Sequence, residues 1–163
     1  MRFFGPIHRD VVEDSARTAL AAVGSFAIAR LIHMPEAYWA TISTVIVVQS
    51  TLGAAWTISS QRFVATVLGT ASGGLLSTYF DSNLAVFGVG VFLLGLVCAF
   101  LRVGTAYRFA GVTLAITMLV GRSVRPWVAA SHRFTEVSVG ILVGLVITAV
   151  WPKHLISQIA PKK

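Results

Sequence analysis

Charged residues punctuate this chain at long intervals instead of alternating with apolar ones. Ala37 to Gln61 contains no Asp, Glu, Lys or Arg, Asp81 is the sole charge between Phe63 and Leu101, and Val137 to Pro152 is another apolar run. Thr18 to Ala29 and Phe109 to Gly121 are shorter, and reach spanning length once flanking Arg residues are admitted near the interfaces. A helix needs about 20 mostly apolar residues to cross the hydrocarbon of a bilayer. The pattern therefore predicts an all-α, polytopic membrane protein of six helices, at approximately 14–33, 37–57, 61–80, 83–101, 105–121 and 132–151. His33-Met34-Pro35-Glu36 is expected to break the chain after the first helix, Ser59-Ser60 to cap the third, and Asp81-Ser82-Asn83 to form a turn. No linker is long enough to divide residues 1–163, so one transmembrane domain is expected.

Composition agrees with this reading. Mean hydropathy is +0.81, with 56% hydrophobic and 12% charged residues, about half the charge of an average globular chain. A cytosolic enzyme and a disordered chain are both excluded. No nucleophile elbow, zinc-protease helix, phosphate loop or dinucleotide fingerprint is present, and no enzyme, cofactor or metal site is expected. His8, His33, His132 and His154 lack metal-ligand spacing. Cys98 is the single cysteine, so no intrachain disulfide can form, and it reads as a small buried hydrophobe.

The formal net charge is +7. Such an excess can mark nucleic acid binding, but here the basic residues lie scattered between apolar runs, so no nucleic acid partner is expected. They read as topology determinants. With both termini inside, nine Arg and Lys residues face the cytoplasm and Arg30, Arg122, Arg125 and Arg133 face outward. A cytoplasmic or inner membrane location with cytoplasmic termini is expected. Residues 1–9 lack a signal-peptide pattern, and Arg2 removes myristoylation. Trp39, Trp56, Trp127 and Trp151 lie near the expected span ends, where interfacial anchors sit.

The chain repeats itself. Arg62-Phe63 is followed by Gly69 and Gly73, and Arg133-Phe134 by Gly140 and Gly144 at the same offsets. Ala37-Tyr38 precedes the first set and Ala106-Tyr107 the second. Three helices per unit would invert the second unit relative to the first, placing Arg62 and Arg133 near opposite membrane faces, an architecture common among transporters. Gly69, Gly73, Gly140 and Gly144 are expected to serve helix packing. Glu136 can pair with Arg133 one helical turn away, and Arg17 with its neighbour Asp14. Gln49-Ser50-Thr51 followed by Gly53 interrupts an apolar helix, and irregular backbone at that depth is tolerated only in protein or beside a wet cavity.

Pro35-Glu36-Ala37-Tyr38-Trp39-Ala40, leading through Val47-Val48-Gln49-Ser50-Thr51-Leu52-Gly53-Ala54 to Arg62-Phe63 and Gly69-Thr70, resembles the fusaric acid resistance and aromatic acid exporter family. Ser50 stands where that family's motif has Pro, which implies a softer break. Arg133 to Glu136 and Gly140 to Trp151-Pro152 resemble its last span, and Arg108-Phe109 resembles a dipeptide of the related plant aluminium-activated malate transporters. The resemblance implies a six-helix module for export or conduction of organic anions. Family exporters often carry two modules, so this chain is expected to self-assemble, as a dimer first of all.

Two readings follow. In the first, the chain carries small organic anions, aromatic carboxylates among them, across a bilayer. Arg62, Arg108 and Arg133 would contact the anion, because a planar guanidinium can donate two parallel hydrogen bonds to a carboxylate. Gln49 and Thr51 would line the broken helix, and Glu136 would balance the charge or couple protons. In the second, the chain is a non-transporting subunit that packs against a partner membrane protein.

Overall fold

The computed structural model describes residues 9–49, 51–80, 83–103, 106–120 and 125–151. They form six α-helices, α1 (Arg9–Leu31), α2 (Tyr38–Val47), α3 (Leu52–Tyr79), α4 (Leu84–Phe100), α5 (Tyr107–Ala115) and α6 (Pro126–Val150). No strand occurs among the described residues. A π-helical turn, Ile116–Val120, continues α5. Ser50, Asp81-Ser82, residues 121–124 with Arg122, and both terminal segments with their expected cytoplasmic charges lie outside the described residues.

The first helix of each half ends in the same way. His33 adopts φ 56° and Arg102 φ 58°, the left-handed conformation that closes a Schellman motif. The amide of Met34 donates to the carbonyl of Ala29, and that of His33 to Arg30. Val103 donates to Cys98 and Arg102 to Ala99 in the same pattern, 69 positions later.

Helix bounds depart from expectation where α2 meets α3. The second helix was expected to reach residue 57 and the third to start at 61, but α2 stops at Val47 and α3 begins at Leu52. The Gln49–Thr51 interruption is a full break even without a proline. Val48 turns extended, and Thr51 caps α3, its Oγ1 accepting from the amide of Ala54 at 3.3 Å. Ser59 and Ser60, expected as caps, lie inside α3. In the same way α6 begins at Pro126, whose fixed φ suits a first turn, ahead of the expected residue 132.

Of the described helices α6 alone is long and apolar enough to cross a membrane by length and composition, while α2, α4 and Tyr107–Leu119 are apolar but shorter. By that measure one of the six expected spans is present among the described helices. At 1.5 Å per residue, the 10-residue α2 extends only about 15 Å.

The two halves exchange partners. One core packs Leu94 and Cys98 of α4 and Ala110 and Leu114 of α5 against Ala65 of α3. On the other side α2 packs with α1 through Ala29, Ala37 and Ala40, and with α6 through Val47, Val137 and Ile141. Each half thus supplies its third helix to the core of the other. Glycines make the exchange close. A methyl group at Gly69 would lie 2.6 Å from the Ala110 carbonyl oxygen and 2.6 Å from Thr113 Cβ, and one at Gly140 would collide with the Ala40 carbonyl and Ser43 Cβ. Gly73 meets Thr117, and Gly144 meets Val47. The contacts of Gly140 and Gly144 on α2 therefore reproduce those of Gly69 on α5 and of Gly73 on the π-helical turn that continues it, about 70 positions later. The sequence repeat is a repeat of packing.

Candidate functional site

At the crossing of α3 and α6, Phe63 meets Phe134 edge to face with ring centroids 5.6 Å apart. Gly74, late in α3, faces Trp127, early in α6, so the two helices run antiparallel. The arginine preceding each phenylalanine turns into the protein, Arg62 being 8% and Arg133 4% exposed. This corrects the expectation that they lie near opposite faces. Because α3 and α6 start earlier than expected, each arginine sits two to three turns inside its helix, next to a phenylalanine of the Phe63–Phe134 contact.

Arg133 is densely partnered. Its Nη2 donates to Glu36 Oε2 at 3.2 Å, and its Nη1 lies 3.7 Å from Glu136 Oε2, the intrahelical pair expected from the spacing. Its guanidinium stacks on Trp39, 3.8 Å from the ring centroid, a geometry in which the ring's negative face attracts the cation. Trp39 Nε1 donates to the same Glu36 oxygen at 2.9 Å, and the Glu36 amide donates to Glu136 Oε1 at 2.9 Å. Glu136, 1% exposed, is thereby held between a backbone donor and a guanidinium, as a buried carboxylate must be. Trp39, expected as an interfacial anchor, is a working member of this cluster.

Arg62 has fewer partners. Its Nη2 donates to Ser43 Oγ at 3.1 Å, and its guanidinium lies 5.0 Å from the centroid of Phe109. No carboxylate pairs with it among the described residues, and its buried Nε has no hydrogen-bond partner.

The remaining expected site residues lie elsewhere. Arg108 is exposed at the start of α5, its Nε donating to Tyr107 Oη at 3.3 Å, and is not brought to Arg62 and Arg133. Thr51 is an exposed helix cap. Gln49 is half-buried, and its side-chain amide donates to the Ile46 carbonyl at 3.1 Å. Its own carbonyl is claimed by Arg17, whose Nη2 donates at 2.6 Å while Nη1 donates to the Trp151 carbonyl at 2.9 Å. Arg17 is also 4.0 Å from Asp14, as its spacing suggested, but its main work is to bind backbone at the ends of α2 and α6. Sequence reasoning missed Glu36, Trp39, Ser43 and Phe109 as a group. The signal available was the repeat, since Trp39 and Phe109 are 70 positions apart and Arg62 and Arg133 are 71 apart.

A family model described as fusaric acid resistance protein-like matches residues 21–147. The chain belongs to that family. The match runs from within α1 to within α6 and contains every member of the arginine cluster, and membership associates this fusaric acid resistance protein-like chain with membrane transport and efflux. No curated protein and no solved structure matches it.

Proposed function

We propose that the chain crosses the bilayer repeatedly, as a homo-oligomer of the cytoplasmic membrane, and carries small organic anions with a carboxylate group. The observation that carries this reading is a pair of buried arginines beside the Phe63–Phe134 contact of two antiparallel helices, one of them, Arg62, without a carboxylate partner among the described residues. A buried cation held by a hydroxyl and a ring is an incomplete site in a low-dielectric interior, and a carboxylate completes it with charge-assisted hydrogen bonds.

The distribution of side chains supports a lipid surround. Arg17, Arg62, Arg133 and Glu136 are buried, while Phe92, Leu93, Leu96 and Phe100 of α4 are more than half exposed. Water favours the reverse arrangement. The break after α2 and the π-helical turn after α5 fall at matching points of the two halves, and short interrupted helices in corresponding places are the pattern of transporters with inverted repeats. Aromatic rings against both guanidiniums suit aromatic acids.

The test is flux of benzoate and of dicarboxylates into proteoliposomes holding the purified chain, with and without a pH gradient. Flux that falls about tenfold or more in Arg62→Gln, the factor expected for a lost charge-assisted hydrogen bond, supports the reading. No flux from folded wild-type protein, with co-purification of a second membrane protein, would overturn it in favour of a non-transporting subunit.

A further inference from the structure

The repeat supplies an internal comparison. Arg133 with Trp39 in one half corresponds to Arg62 with Phe109 in the other: the two arginines are 71 positions apart, the two rings 70, and both guanidiniums lie over their rings. What differs is the anion. Arg133 has Glu36 and Glu136. The counterpart of Glu136 beside Arg62 is Ala65, and the positions corresponding to Glu36 are Thr105 and Ala106, none of them acidic. Arg62 is more than nine-tenths buried; the Nε of each arginine lacks a hydrogen-bond partner, but only Arg133 has carboxylates against its guanidinium among the described residues.

We infer that Arg62, with Phe109 and Ser43, is the subsite for the carboxylate of the transported anion, and that Glu36 fills the matching place at Arg133 as a tethered carboxylate. The inference rests on the anion-transport reading and narrows it to monocarboxylates. Glu36 occupies Nη2 of Arg133, a donor that a second carboxylate of the ligand would compete for. Its side chain is 39% exposed, against 1% for Glu136, and it lies in the turn before α2, so of the two acids it is the one a ligand group can replace. A ligand with two carboxylates would have to displace it, whereas a ligand with one carboxylate and an aromatic ring meets Arg62 and Phe109 directly. Glu36 is then a specificity-determining residue.

The test compares benzoate with succinate in proteoliposomes of wild type and of Glu36→Gln, whose amide oxygen can still accept from Trp39 Nε1. Wild type is expected to carry benzoate at least about tenfold faster than succinate, and Glu36→Gln to raise succinate relative to benzoate by about tenfold. A monodisperse elution profile in detergent reports that the variant is folded. If Glu36→Gln is not monodisperse, Glu36→Asp, one methylene shorter, takes its place with a smaller shift in the same direction. Benzoate flux with unchanged selectivity in the folded variant overturns the inference, as does a wild type that carries both anions equally. No flux of either anion in wild type sinks the transport reading itself, which is a separate result.

Discussion

Glu36 and Glu136, 100 positions apart, are joined by a hydrogen bond from the backbone amide of the first to the carboxylate of the second at 2.9 Å. The turn before α2 is thereby fastened to the middle of α6, and Arg133 is closed in from both sides.

That enclosure makes the two charges interdependent. Removing one partner of a buried pair strands the other at a cost of about 3–5 kcal/mol, whereas replacing both is far milder. Glu136→Gln and Arg133→Gln are each expected to lower stability more than half as much as the double variant does, giving a clear coupling energy. Thermal unfolding of the four proteins in one detergent measures it.

Glycine substitutions should separate into two classes. Gly140→Ala and Gly69→Ala drive a methyl into backbone carbonyls that cannot rotate away, and a loss of about 1–3 kcal/mol is expected from overpacking. Gly95→Ala, with nothing within 4 Å of the added carbon, should be neutral or gain up to about 1 kcal/mol from helix propensity. Equal effects at the three positions in a melting experiment would contradict the packing described.

The break after α2 was legible in the polar Gln49–Thr51 segment, and the helix-packing role of the four glycines in their spacing, because both are local. The convergence of Arg62 and Arg133 was not. It depends on where α3 and α6 begin, and within the charge-free stretch from Ala37 to Gln61 the Gln49–Thr51 segment competes with Ser59-Ser60 as the place where the third helix starts. Apolarity marks what avoids water, and a chain that avoids water nearly everywhere leaves its breaks to a few hydroxyl and amide groups. Arg108 illustrates the converse error, since a charge at a helix start can turn outward as readily as in.

Arg17 offers a test of the backbone clamp. Its two terminal nitrogens hold carbonyls of Gln49 and Trp151 at once, and hydrogen bonds from a charged donor are worth about 1.5–3 kcal/mol each. Arg17→Ala is expected to destabilise by about 2–4 kcal/mol, and Arg17→Lys to recover less than half, because a point charge does not reproduce a planar fork. Denaturant titration of the three proteins decides it.

Trp39 should show two separable functions. Trp39→Phe keeps a ring beneath Arg133 but deletes the donor to Glu36, with an expected loss of about 1 kcal/mol. Trp39→Leu also removes the cation–π contact and should cost about 1–2 kcal/mol more. Identical melting temperatures for the two variants would show that the ring face contributes nothing.

The exchange of third helices sets a timetable for synthesis. Roughly 80 residues of chain separate the end of α2 at Val47 from the start of α6 at Pro126, which at 5–20 residues per second is about 4 to 16 s. Throughout that interval the groove on α2 that receives Gly140 and Gly144 stands open, and Arg133 and Glu136 do not yet exist. The first half of the nascent protein must wait, with that face of α2 uncovered, for the last helix to arrive.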